Sequence, residues 1–211
     1  MNLRETLDAT RQTIEDALER ALPKGASASA LGNAAFNEAV RHAVKAGGKR
    51  VRPTLTLLCA RACGANEAQM ADALRAAVAI EFLHSYTLVH DDLPAMDNDT
   101  ERRGAPTVWA KYGEGTAILA GDFLQALAFQ QIAPCRNAAP MLRAFAIAAT
   151  QVIRGQVADI AAAKAGIIKP GSPVVSYGGV PEADAVIARV AKEQNAPLTV
   201  VDLSRLKVEG G

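Results

Sequence analysis

The sequence predicts a mainly all-α fold, a helical bundle that carries a small β-α-β-like segment at its C-terminal end. Three observations predict it. From the start to about residue 153 the chain is rich in Ala and Leu and is punctuated only by short Gly or Pro breaks, the pattern of successive helices with short connections. Residues 67–90 are apolar almost all the way round, with Met70, Leu74, Val78, Phe82, Leu83 and Val89 spread over every face, as a helix at the centre of a bundle must be. Beyond about residue 155 the pattern changes to Pro and Gly turns and short β-branched runs, which read as strands.

The elements follow in order. The opening segment MNLRETLDATRQTIEDALERAL places Leu3, Leu7, Ile14, Leu18 and Leu22 along one stripe, so an amphipathic helix is expected over 3–21. Acids run through it and it lacks an apolar signal core, so it reads as neither a secretory nor an organelle address. Helices are expected next at 34–46 and at 53–63, where Pro53 suits a first turn. Asn66 and Gln69 resemble a capping pair that opens 67–90. The polar residues of that helix collect at its C-terminal end, where Glu81, His84, Ser85, His90, Asp91 and Asp92 would line the mouth of a cavity. Two more helices are expected at 115–133 and 138–153. KPGSPVVS then gives a turn and a strand, PEADAVIARVAKEQN a helix with Pro181 near its start, and APLTVVDL a second strand. The expected division is a helical domain over 1–153 and a short α/β appendage over 154–211. Two strands cannot form a core of their own, so the appendage is not an independent domain and must lean on something else or stay loosely folded.

A chain of 211 residues, 50% of them hydrophobic, can bury one sizeable core. Its 23 Lys and Arg nearly cancel its 22 Asp and Glu, so no global field argues for nucleic acid or an anionic membrane surface. Anion binding must come from local clusters. No apolar run approaches the ~18–20 residues of a membrane span. The three cysteines, Cys59, Cys63 and Cys135, form no CxxC pair and have no zinc spacing, which fits a reducing cytoplasm. Cys59 and Cys63 lie four apart in an apolar run and are expected to be small core residues.

Chemistry concentrates in HDDLPAMDNDTERRG at 90–104. Carboxylates crowded at Asp91, Asp92, Asp97 and Asp99 repel one another, so a cation should offset them. Either Arg102 and Arg103 do so, leaving a solvated acidic loop, or a divalent metal does. Pro94 interrupts the helix that carries Asp91 and lets the chain bring Asp97 back to the same mouth. Hard oxygen ligands in that arrangement suit Mg2+, which shares itself with waters and substrate phosphates. AGGKRVRPT at 46–54 puts Lys49, Arg50 and Arg52 on a glycine-rich turn at a helix start, where cations and exposed N–H groups favour a phosphate. It is not a Walker loop, because GxxxxGK[ST] is absent. His84 lies seven residues before Asp91 and shares its helix face. Acidic cluster, basic turn and histidine together point to an anionic substrate.

GGKRVRP, EFLHSYTLVHDDLPAMDND, RRGAPT and ILAGDFL, in this order, resemble the N-terminal half of the trans-prenyl diphosphate synthases, most closely those of the bacterial farnesyl diphosphate type, to about residue 135. The resemblance implies an isoprenoid-synthase-type helical fold around a deep cavity, in a soluble enzyme of the cytoplasm that pairs as a homodimer. It implies that Asp91, Asp92 and Asp97 form a DDxxxxD motif that binds Mg2+ and, with Arg102, the diphosphate of dimethylallyl or geranyl diphosphate. By the same resemblance Lys49, Arg52, His84 and Arg103 bind isopentenyl diphosphate. Tyr86 and Thr87, just upstream of the aspartates, would set chain length, with Tyr86 as a floor that implies a product of about fifteen carbons or fewer.

The sequence departs from that family in places. Thr100 and Glu101 stand where an Asp-Leu pair is common, and Trp109 where a histidine is frequent. The second aspartate-rich motif, DDxxD, does not follow Asp99: Asp122, Asp159, Asp184 and Asp202 are isolated. GQVAD at 155–159 resembles the family's GQ-x-x-D helix but follows ILAGDFL at closer spacing. From about 158 to 203 the chain instead resembles an internal piece of a folylpolyglutamate (dihydrofolate) synthase. The function expected is Mg-dependent short-chain prenyl transfer, impaired where the second motif is missing. A non-catalytic partner subunit or diphosphate-binding remnant and, more remotely, a folate-ligase fragment are the alternatives.

Overall fold

The computed structural model describes residues 3–24, 34–166, 168–176 and 178–201, and for Leu3, Asp159, Ile160, Ala163 and Lys164 the backbone alone. Among the described residues the fold is mainly helical, as expected. The chain divides into two compact units, Met1–Phe145 and Ala146–Gly211. That division falls inside a helix, ahead of the expected boundary at 153/154.

The first unit is built around one helix. α1 (Leu3–Ala21), α2 (Ala34–Lys45), α3 (Val51–Ala62) and α4 (Glu67–Asp91) lead to a hairpin of β1 (Glu101–Arg102) and β2 (Ala105–Pro106), then to α5 (Val108–Tyr112) and α6 (Glu114–Ile132). α4 packs on α1, α2, α3 and α6, so the helix that was apolar on every face is the one surrounded. Its capping box forms as the sequence indicated: Gln69 N–H donates to the Asn66 side chain at 3.0 Å and Asn66 N–H to the Gln69 side chain at 2.9 Å. Phe82, Val78, Ala77 and Ala79 are buried on α4, and Leu124, Ala120 and Ala117 on α6, the helix with which α4 packs most extensively. The α1 stripe holds at Ile14, Leu18 and Leu22, which are buried, while Leu7 is 38% exposed.

One expectation is corrected here. Cys59 and Cys63 are exposed, and it is Cys135 that is buried. The reason is helical phase: α3 turns Pro53 and Leu57 inward, and the two thiols lie on the opposite side of the turn. The hairpin and α5 were not foreseen. β1 pairs antiparallel with β2 in the register Arg102↔Ala105, and the two residues between them, Arg103 (φ 56) and Gly104 (φ 78), are both left-handed. That is the geometry of a two-residue hairpin loop, for which Gly at the second place is favoured.

α7 (Ala138–Ala165) crosses from one unit to the other and runs on past the expected end at 153. In the second unit β3 (Val174–Ser176) pairs in parallel with β4 (Leu198–Val200), joined through α8 (Pro181–Glu193). This is the expected β-α-β-like arrangement, with Pro181 in the first turn of its helix. Within that unit the strands lean on the last turns of α7, where Val157, Ala161 and Ala165 line an apolar cavity of about 370 Å³ with Val174, Ala183 and Ile187. Asp202 and Leu203, the end of the second predicted strand, lie outside the described residues.

Candidate active site

The turn between α2 and α3 builds a basic wall. Gly47 (φ 88) and Arg50 (φ 48) bend the backbone through left-handed conformations, and α3 then starts with Lys49 and Arg52 on either side of the bend. α4 adds Glu81 and His84 from successive positions on one face, and the hairpin loop adds Arg103. Lys49, Arg52, His84 and Arg103 thus line one cavity of about 480 Å³, together with Arg50 and Glu81. All four residues that the resemblance gave to one diphosphate are brought together. Arg103 donates to the Gly47 carbonyl, and a Cβ on Gly48 would stand 2.7 Å from its Nη1, so glycine there lets the guanidinium lie against the turn. Burial is the main cause that holds His84 below its usual pKa, followed by Arg52; Arg103 and Arg102 add to this and Glu81 opposes it. An anion in the cavity would reverse that shift.

The acidic residues occupy the C-terminal end of α4. The helix stops at Asp91, with Asp92 as its cap, and Leu93 and Pro94 lead a turn that returns Asp97 so that its N–H donates to the Asp91 carbonyl at 2.8 Å. The bulge expected from Pro94 is therefore present. Asp92 is 4% exposed and is held by Arg102, whose Nε and Nη2 lie 2.8 and 2.6 Å from the same carboxylate oxygen. Arg102 also reaches Asp99 at 3.7 Å. Burial pushes Asp92 up despite the Arg102 hydrogen bond and charge, and neighbouring Asp99 and Asp97 add to the rise. Asp97 and Asp99 are exposed.

The basic cavity and the acidic turn thus stand toward the same end of the central helix α4. The polyprenyl synthetase family profile matches residues 33–170. The chain belongs to the polyprenyl synthetase family. It is 43% identical over 132 residues to a geranylgeranyl diphosphate synthase from Cyanophora paradoxa, covering 63% of this chain and 41% of that protein. It is 42% identical over 132 residues to a farnesyl diphosphate synthase from Geobacillus stearothermophilus, covering 63% of this chain and 42% of that one. The chain therefore spans about two fifths of the curated relatives it matches. The crystal structure of an FPP/GFPP synthase from Zymomonas mobilis, 28% identical, matches with a TM-score of 0.70 over 92% of this chain and 72% of that one. The match to the polyprenyl synthetase family runs past residue 135, where the recognisable motifs end, and stops at residue 170.

Two further features of this chain bear on the site. Tyr86 is 8% exposed and packs edge-on against His90, ring centres 4.9 Å apart, while the Thr87 hydroxyl donates to the His84 carbonyl at 2.8 Å. His90 Nε2 lies 3.1 Å from the Ile118 carbonyl on α6, and a Cβ on Gly121 would stand 2.2 Å from it. Trp109, in place of the frequent histidine, donates its indole N–H to the Asp99 carbonyl at 2.7 Å, which also accepts from the Thr107 hydroxyl at 2.9 Å. It ties α5 to the acidic turn.

The sequence missed Arg11 and Glu15, two α1 residues that contact the basic turn. Glu15 binds Arg50 at 2.9 Å and Arg11 Nη2 donates to the Gly48 carbonyl at 3.2 Å. Their signal was spacing alone, a basic and an acidic residue one helical turn apart, which any solvated helix face shares.

Among the described residues no three acidic or thiol or imidazole groups converge into a metal cage, and Asp92 is paired with Arg102. The donor set nonetheless fits Mg2+. This ion takes one or two protein carboxylates and completes its shell with waters and phosphate oxygens, and Asp91 and Asp97, tied by their backbones, offer hard oxygens on one turn.

Proposed function

We propose that this chain binds the two diphosphates of a short-chain prenyl transfer, in which isopentenyl diphosphate condenses with dimethylallyl or geranyl diphosphate. The observation that carries this reading is the single cavity shared by Lys49, Arg52, His84 and Arg103. Three cations and a histidine there complement a diphosphate, and the N–H groups at the start of α3 add to them. We assign this cavity to isopentenyl diphosphate. The allylic diphosphate is assigned to the acidic turn, where Asp91 and Asp97 would hold Mg2+, with Asp92 completing the motif once Arg102 swings to the incoming phosphate.

Bound there, Mg2+ would neutralise charge that develops on the diphosphate as its carbon–oxygen bond breaks. Arg102 would add a charge-assisted hydrogen bond to the same oxygens. Lys49, Arg52 and His84 hold the second diphosphate so that its alkene faces the allylic carbon, which removes the entropic cost of bringing two substrates together. The new carbon–carbon bond forms as diphosphate leaves, and a proton is lost from the former isopentenyl unit. Tyr86, buried on α4 more than one turn before Asp91, would close the path of the growing tail, giving a product of about fifteen carbons or fewer.

Without a second aspartate-rich motif after Asp99, we expect this chain by itself to bind diphosphates but to turn them over slowly, by several powers of ten, since each ~1.4 kcal/mol of lost transition-state stabilisation is tenfold. The test is incubation with Mg2+, labelled isopentenyl diphosphate and geranyl diphosphate, followed by product separation. A trace of prenyl product that disappears in Asp91→Ala supports the reading. A folded chain that neither binds nor converts either substrate contradicts it.

A further inference from the structure

Arg50 sits within the basic turn, yet its side chain is 3% exposed and turned into the core. Nε donates to Glu15 of α1 at 2.9 Å, Nη1 to Glu81 of α4 at 2.6 Å, and Nη2 to the Val44 carbonyl near the end of α2 at 2.9 Å. All three nitrogens are engaged by protein. Two carboxylates face its one charge, so it adds no net attraction for an anion. Its backbone is left-handed (φ 48) although it is not glycine, a strained conformation that persists only where the surroundings enforce it. Arg11, one helical turn before Glu15, holds the next carbonyl but one, that of Gly48.

We infer that Arg50 is a positioning residue: anchored by Glu15 and Glu81, it fixes the left-handed bend that sets Lys49 and Arg52 on the same cavity. This rests on the reading of that cavity as a diphosphate site. Lys49 and Arg52 flank the bend at Arg50 and line the same cavity, so the bend sets how the two cations stand toward each other. The Arg50–Glu81 pair supplies most of the force because it is buried: the two side chains are 3% and 5% exposed, where charge-assisted bonds are strong and leaving either group alone is costly. α1 thereby has a part in a site that it does not line.

The test replaces the pair together, Arg50→Met with Glu81→Leu. Apolar replacement of a buried ion pair is often neutral for stability, and the change removes one positive and one negative charge, so simple electrostatics predicts unaltered anion binding. Glu15→Gln, a milder change at a partly exposed residue, covers the case in which the double variant fails to fold. Two quantities are read: affinity for inorganic pyrophosphate by calorimetry, and amide hydrogen exchange over residues 47–52. The expected result is a folded variant whose turn exchanges faster and whose pyrophosphate affinity falls about tenfold or more, with a smaller loss in Glu15→Gln. Unaltered exchange in the turn, or faster exchange with the parent's affinity, overturns the positioning role. If the parent itself does not bind pyrophosphate while the variant's turn still loosens, it is the diphosphate reading that has failed, and the role in ligand positioning falls with it.

Discussion

Lys49 is exposed on the cavity rim, so its replacement by alanine removes a cation without disturbing the packing behind it. Lys49→Ala should weaken isopentenyl diphosphate binding by about tenfold or more, a loss of roughly 1.5–3 kcal/mol for one charge-assisted contact, with thermal stability within about 0.5 kcal/mol of the parent. Titration calorimetry and a melting curve check both. His84 gives a pH signature. Its folded pKa is depressed, so its contribution to stability is full above the unfolded value of about 6.5 and is lost as pH falls through the lower folded value. A bound anion raises that pKa, so affinity should rise on acidification in the parent more steeply than in His84→Asn. Equal pH profiles would remove His84 from the site. Arg102→Ala leaves Asp92 buried without its main partner and should cost roughly 1–3 kcal/mol near neutral pH. Because Asp92 already sits above its ordinary pKa, the deficit should narrow as pH falls and the carboxyl becomes neutral. Melting temperatures measured from pH 7 down to pH 4 would show it.

At the scale of elements, the joint between α4 and α6 depends on Gly121. Any side chain there meets the His90 ring, which is itself wedged between Tyr86 and the Ile118 carbonyl. Gly121→Ala should therefore destabilise by about 1–3 kcal/mol, and His90→Ala in the same chain should recover part of the loss, since it removes the group that is struck. Denaturant unfolding of the two variants would decide. Much of this level was legible in the sequence. α4 declared itself as the central helix by being apolar on every face, Asn66 and Gln69 marked its start, and Pro94 marked the turn that returns Asp97. The hairpin at 101–106 was not legible, because two-residue strands are too short for an alternating pattern and the loop signal was the single glycine after Arg103. The phase of α3 was also missed: Val51, Leu55, Cys59 and Cys63 recur four apart as a plausible inner stripe, yet Pro53 and Leu57 face the core. Periodicity shows that a helix has a face, but when both faces carry apolar residues only its neighbours decide which one is buried. In the site, the cations of the turn could be read from type and spacing. Their braces, Arg11 and Glu15, could not, because a contact across more than thirty residues leaves no local mark.

The chain comprises two compact units. The first unit holds the basic cavity and the acidic turn; the second has its own apolar cavity beneath the β3–β4 pair. The chain spans about two fifths of its curated relatives, 41% and 42% in the two cases described, and that share contains the first aspartate-rich motif without a second. Binding and turnover should consequently separate: diphosphates held, product formed slowly. The most direct measurement is calorimetric titration of the purified chain with isopentenyl diphosphate, beside Lys49→Ala. Saturable binding that falls about tenfold or more in Lys49→Ala is the result expected of a diphosphate site at the α2–α3 turn. No binding by a chain shown to be folded, or equal binding by both proteins, would contradict it.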